Sequence, residues 1–339
     1  MRTSQAVDRL NYCEQAGENR MPRNDRRQGR RLLSAALCAL AGSLLFAQTA
    51  GAASLRPSVP PGAAVFEVAA IDAGGAVLLA AREAPPAGLA ASVGAWIGAL
   101  AAQKPFAAWK GAAVRYEALG PGTHGWLATL TDAGGRPVGY LIAYAAPDGT
   151  YRLGEYGTGA QPLFDQAALT RTLVENGLLP DERSPYAAAK SYLHPFAAVW
   201  TVRIGSATYW ADAKSTELLP LDEAEWQKLA SVPDDDGEPP MTKTVERLRL
   251  NETFDPYEKL PWLTGVQPIG RQDGELTGRL DRQLQLRYVS EPFGDRMLYA
   301  LPVVGYLQWS GGRIDLALGM DGTRFVPLAE LRRHGFFYP

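Results

Sequence analysis

The 339-residue chain predicts an α+β fold: helix-on-antiparallel-sheet units, followed by a smaller α+β or barrel-like C-terminal domain. Three observations lead there. Apolar residues recur at three- and four-residue spacing in a few stretches only, the mark of amphipathic helices. Between them lie short strand-like runs separated by Gly, Pro and Asp turns, the mark of antiparallel strands. The composition, 46% hydrophobic and 21% charged, is enough to build packed cores.

Residues 1–52 read as an export signal. Arg23, Arg26, Arg27, Arg30 and Arg31 form a basic region, residues 32–46 an apolar run short for a bilayer, and Ala50-Gly51-Ala52 a small-x-small cleavage site. Met21 is an alternative start. The mature chain is expected from Ala53, secreted or in the cell envelope, with no membrane span after signal cleavage. Both cysteines, Cys13 and Cys38, fall in the removed part, which leaves no thiol for a disulfide, a thiolate metal site or a nucleophile. That part carries eight Arg against four Asp and Glu, so a whole-chain charge of −2 becomes −6 after cleavage. Such an acidic protein is not expected to bind nucleic acid, which needs basic patches.

Residues 53–63 are a proline-bearing linker. Strand-like runs at 65–70 and 76–81 flank the turn Asp72-Ala73-Gly74-Gly75. Pro85-Pro86 opens a helix with Leu89, Val93, Trp96, Ile97 and Leu100 on its buried stripe, and Pro105 closes it. A meander follows, with strands at 126–131, 138–144 and 151–156. Asp165 caps the next helix, Phe164 and Leu169 staple it, and Gly177 ends it. A short helix is expected from 184 to 193. Residues 198–220 then read as a hairpin: Trp200, Val202 and Ile204 share one face, Gly205-Ser206 is the turn, and Tyr209 and Trp210 restart the strand. Asp222 and Glu225 form a capping box, with Leu221 and Trp226 as its staple. Residues 64–231 thus make one α+β region or two units, 64–160 and 161–231. The acidic stretch 232–240 reads as a domain boundary before 241–339. There a helix is expected at 243–250, a helical face at Leu276, Leu280 and Leu284, and strands at 298–309, 314–318 and 324–326. A terminal helix spans 327–334, and Phe336-Phe337-Tyr338 is expected to dock on the domain.

The hairpin resembles the end of a PepSY-type module through Trp200, Val202, Tyr209, Asp212, Ala213, Glu217 and Leu218. It departs from that pattern at Thr216, where the family has glycine. Val138-Gly139-Tyr140-Leu141-Ile142, with 153–157, is similar to the cystatin-like propeptides of some secreted proteases. Together the two resemblances cover about 90–220 and imply a helix packed on strands that binds or restrains a protease. The strand Tyr299-Ala300-Leu301-Pro302-Val303-Val304-Gly305-Tyr306 resembles the His-Ala-x-x-x-x-Gly-Tyr strand of papain-like, bacteriocin-processing peptidases. Tyr299 stands where that family has its catalytic histidine, so this resemblance implies an inactive relative; the alternative is a barrel-like domain with an unrelated Gly-Tyr strand.

Three histidines, His124, His194 and His334, are scattered along the sequence, and no His-Glu-x-x-His occurs. His194 is expected at a helix end and His334 in a last helical turn. The run Asp234-Asp235-Asp236-Gly237-Glu238 fails as a calcium loop, because Val232 and Lys243 occupy the end ligand positions. No nucleophile elbow or phosphate-binding loop is present. No catalytic residue, metal or cofactor is therefore assigned. The candidate partner-binding loop is Gly120, Gly122, Thr123, His124 and Gly125. Most tryptophans lie on apolar faces, with Trp210 and Trp262 the least certain to be buried. These readings converge on an exported, non-enzymatic binding module that restrains or escorts a secreted protease or engages another envelope protein. The alternatives are an envelope structural or carbohydrate-binding protein, which exposed coplanar tryptophans would mark, and an enzyme with a carboxylate site.

Overall fold

The computed structural model describes residues 67–68, 70–71, 77–78, 85–119, 125–230, 244–270, 272–320 and 322–339. The fold is α+β, with antiparallel sheets and a few helices, as expected. β1 (Glu67–Val68) is followed by β2 (Ala70–Ile71) and β3 (Val77–Leu78), which pair as the first hairpin. α1 (Ala87–Ala101) buries Leu89, Val93, Trp96 and Leu100, the stripe read from the spacing. β4 (Ala113–Leu119), β5 (Gly125–Thr131), β6 (Pro137–Ala145) and β7 (Tyr151–Thr158) form the meander. β4 was not expected; its side chains are mostly half-exposed, so its alternation of Val114 and Tyr116 with Arg115 and Glu117 is a faint signal.

α2 (Gln166–Glu175) starts at Asp165, whose Oδ1 accepts the N–H groups of Ala167 and Ala168. Phe164 and Leu169 are buried in one cluster, as a staple requires. The helix expected at 184–193 is instead a strand, β8 (Ala187–Tyr192). Its alanines favour a helix locally, but it fills the gap between β1 and β9 (Ala198–Ile204) and pairs with both. Tertiary pairing overrides propensity there. β10 (Ala207–Asp212) completes the expected hairpin around Gly205, at φ 60°. β11 (Leu218–Leu219) closes a five-stranded sheet ordered β1-β8-β9-β10-β11. Thr216, where the resembling modules carry glycine, sits at φ 61° in the left-handed region. Its hydroxyl donates to Ser215 O at 2.6 Å and bonds the Thr172 hydroxyl at 2.6 Å. α3 (Glu223–Ala230) has the predicted capping box: Asp222 Oδ1 accepts from Glu225 N at 2.9 Å and Glu225 Oε2 from Asp222 N at 3.0 Å.

The acidic stretch 232–240 lies outside the described residues. After it, the helix expected at 243–250 is corrected to a strand, β12 (Val245–Leu250), set by pairing Leu248 opposite Leu307. α4 (Asp273–Asp281) buries Leu276 and Leu280, while Leu284 lies past its end and is exposed. β13 (Arg287–Ser290), β14 (Tyr299–Trp309), β15 (Ile314–Gly319) and β16 (Thr323–Pro327) follow, then α5 (Leu328–His334) and β17 (Phe336–Tyr338). The aromatic tail docks as expected, as a strand on β13. β14 pairs with β13 through its first half and β12 through its second. At the changeover stands Gly305, where a Cβ would collide with the carbonyl of Arg249.

The large sheet runs β17-β13-β14-β15-β16-β7-β6-β5-β4, with β12 on β14. β16 joins β7 directly, so the stretches expected as separate, 64–231 and 241–339, contribute to one sheet. Alternate residues of β6 face opposite ways: Leu141 and Ala143 pack under α1, whereas Tyr140 and Ile142 pack against α2 and the small sheet. A third core cluster brings Phe196, Trp210 and Trp226 against α4, α5 and the C-terminal strands.

α4 ends in a Schellman arrangement: Leu284 N donates to Arg279 O at 3.1 Å and Gln283 N to Leu280 O at 3.0 Å. Gln283 is exposed and at φ 58°, a conformation that costs any Cβ-bearing residue. Gln283→Gly is expected to raise unfolding free energy by roughly 0.5–1 kcal/mol in urea denaturation. A loss of stability would contradict this reading of the cap.

Candidate functional site

Of the sequence-predicted loop, Gly120, Gly122, Thr123 and His124 lie outside the described residues. Gly125 opens β5; it is buried and pairs with Leu119 and Tyr144. The strand that leads into this loop is β4, and beside it runs a groove of about 710 Å³. One wall is β4 from Ala113 to Glu117; the other is the start of α2 from Pro162 to Ala167, with Lys190 of β8 between. Among the described residues β4 pairs with β5 alone, and the groove runs over the face that β4 shares with Thr129 and Thr131 of β5.

The charged groups of the groove converge on one carboxylate. Glu117 Oε2 lies 3.0 Å from Lys190 Nζ and 3.5 Å from Arg115 Nη2. The Lys190 ammonium also stands 5.5 Å from the centroid of Trp200, a cation–π contact. Lys190 and Glu117 are largely shielded, whereas 39% of the Arg115 side chain is exposed. Burial pushes the Tyr116 phenol above its usual range. The first N–H groups of α2 are satisfied by Asp165, so that wall is no anion site. The groove presents two cations around Glu117, with the capping carboxylate of Asp165 on the opposite wall.

The buried carboxylates are committed elsewhere. Glu155 Oε2 accepts from Arg324 Nε at 2.9 Å and Nη2 at 2.6 Å, and Oε1 accepts from Tyr140 OH at 3.0 Å. Burial pushes the Glu155 carboxyl up and the guanidinium pulls it down. Every one of these hydrogens points at the carboxylate, so the ion pair is the form the geometry supports. Asp315 accepts from Tyr156 OH at 2.9 Å, Trp309 Nε1 at 2.8 Å and Arg313 Nε at 2.7 Å. Asp212 Oδ1 accepts from Lys214 N and Ser215 N, and Oδ2 from Tyr299 OH at 3.0 Å. Tyr299 is therefore a buried tether, and burial with Asp212 beside it raises its phenol pKa. Among the described residues no three His, Cys, Asp or Glu side chains are placed to hold a metal ion.

The histidines hold what sequence reasoning missed. His194 is not at a helix end but in the turn between β8 and β9, a consequence of the strand at 187–192. His334 is in the last turn of α5 as expected, and the two rings stack face to face. Nothing in their sequence spacing signals this. Trp210 is buried. Trp262 is half-buried and meets Tyr257 and Tyr338 edge-on, at 81° and 64°, which offers no coplanar platform for a sugar. Among the described residues no helix is long and apolar enough to cross a membrane. No family model, curated protein or solved structure matches the chain.

Arg324→Met would leave Glu155 buried without its cation, and is expected to cost about 3–5 kcal/mol in denaturant unfolding. Adding Glu155→Gln should restore part of that. A near-neutral Arg324→Met would show that the pair does not carry the contact between β7 and β16.

Proposed function

We propose that the chain is an exported, non-enzymatic binding module that takes an extended segment of a secreted protease along the outer edge of β4, and so restrains or escorts that protease. The observation that carries this reading is the strand edge itself. Among the described residues β4 ends the large sheet, and a groove runs over its face beside that free edge. In an antiparallel strand alternate residues turn both N–H and C=O away from the partner, and that row is a template for one more strand. Strand addition supplies affinity through the main chain and specificity through flanking side chains. Arg115, Glu117, Lys190 and Asp165 provide the second part: charges of both signs line the groove and set the register of an incoming strand that carries their complements.

The protease as partner rests on the resemblance of residues 90–220 to PepSY-type and cystatin-like propeptide modules. An export signal at 1–52 would place the chain in the same compartment. The candidate loop 120–125 follows β4 in the sequence.

The test uses the chain from Ala53 with a photo-reactive residue in place of Ala113, and a second version with it in place of Arg203 on β9. Each is mixed with the secreted fraction of the producing cell, and proteolytic activity is followed. The expected result is saturable loss of activity with a protease cross-linked at 113 and not at 203. Failure to retain any protease at concentrations well above micromolar, or equal cross-linking at both positions, would contradict the proposal.

A further inference from the structure

A second cavity, of about 960 Å³, lies between the β8–β9 turn and the α5–β17 end of the large sheet. Leu193, Leu229, Val289 and Leu298 give it apolar walls, and His194 and His334 both line it. The two imidazoles are parallel to within 7°, with centroids 3.6 Å apart. They are a direct contact between the turn and the end of α5.

The surroundings of His194 require its neutral form. Its Nδ1 accepts the N–H of Phe196 at 3.3 Å, which needs a lone pair on that nitrogen. Protonation would set two N–H donors against each other. It would also add a cation close to two others. Arg324 of β16, paired with Glu155, reaches the same turn through the Pro195 carbonyl. Arg333 of α5 is paired with Glu330, whose Oε2 is 3.5 Å from His334 Nε2. Arg332 of α5 and Glu291, which follows β13, complete the charged groups that line the cavity. From β13 itself, Ser290 Oγ donates to the His334 carbonyl at 2.6 Å and fixes the end of the helix.

We propose that the stacked histidines are an acid-sensitive latch that holds the β8–β9 turn against the end of α5 at neutral pH and releases it on acidification. Burial, the facing His334 ring and then Arg324 and Arg333 lower the His194 pKa from 6.5 to about 3. Opening the turn returns the ring to water and to its ordinary value. A lowered folded-state pKa means that the open form binds the proton, so the closed form is favoured above 6.5 and loses ground as pH falls toward 3. With those two values the open-to-closed ratio rises about thirtyfold between pH 7.5 and pH 5.

Amide hydrogen exchange of the full chain at the two pH values, corrected for the intrinsic rate, tests this. Peptides covering 190–197 and 328–338 should open about thirtyfold more at pH 5, while those covering 125–145 should not change in step. In His194→Phe, which keeps a flat ring in the stack but cannot titrate, the extra opening should vanish. The same pH response in all three segments, or an unchanged response in His194→Phe, would overturn the latch. Should that variant fail to fold, an NMR titration of the wild-type His194 ring decides: a midpoint well below the ordinary imidazole value supports the latch, and one near 6.5 overturns it.

Discussion

The ion pair between Glu155 and Arg324 is the constraint on which the rest depends. Both side chains are almost completely removed from water, at 0% and 2% exposure. Such a pair gains little net stability over apolar residues, because desolvation offsets the attraction. What it enforces is completeness. Neither partner tolerates burial alone, so β7 and β16 must meet in the register that brings the two together. Tyr140 adds β6 to the same point, and the Pro195 carbonyl adds the β8–β9 turn. On the α1 side of the sheet a second set does the same: Arg313 and Asp315 bind each other, and the guanidinium also donates to the carbonyls of Leu153 and Gly154 on β7. Two buried arginines from late in the chain thus lock onto one strand from its middle.

This explains why a boundary read at 232–240 does not separate two sheets. Acidic and proline-rich composition reports local solvation. Strand pairing across it is decided by residues far away in sequence, and neither Glu155 with Arg324 nor Arg313 with the Leu153 and Gly154 carbonyls has a spacing that reveals the partnership. What the sequence displays well is local chemistry. Asp165, Asp222 and Glu225 marked two helix starts because a cap is made by neighbours in the chain. The hairpin around Gly205 was visible for the same reason, as were the strands either side of Ser310-Gly311-Gly312. The two segments misread as helices, now β8 and β12, have side chains that suit either state, and only their pairing partners decide. The stacked histidines lay wholly beyond local reading.

The two ends of the large sheet differ in a way that bears on function. At one end β17 lies on β13, and its outer side is bridged at Phe337 by Ile269. At the other end β4 carries charged residues and half-exposed apolar ones beside an open groove. Charge on an edge strand guards against indiscriminate pairing while leaving room for a partner of matching charge.

On the proposed function the outer edge of β4 is unpaired in the free chain and becomes paired when a secreted protease binds. Residue-resolved amide exchange over 113–119, measured without and with a protease captured from the secreted fraction, tests this most directly. Alternate amides that exchange fast in the free protein and become protected on binding are the predicted result. Uniform slow exchange of all β4 amides in the free chain, or no change on binding, would contradict it.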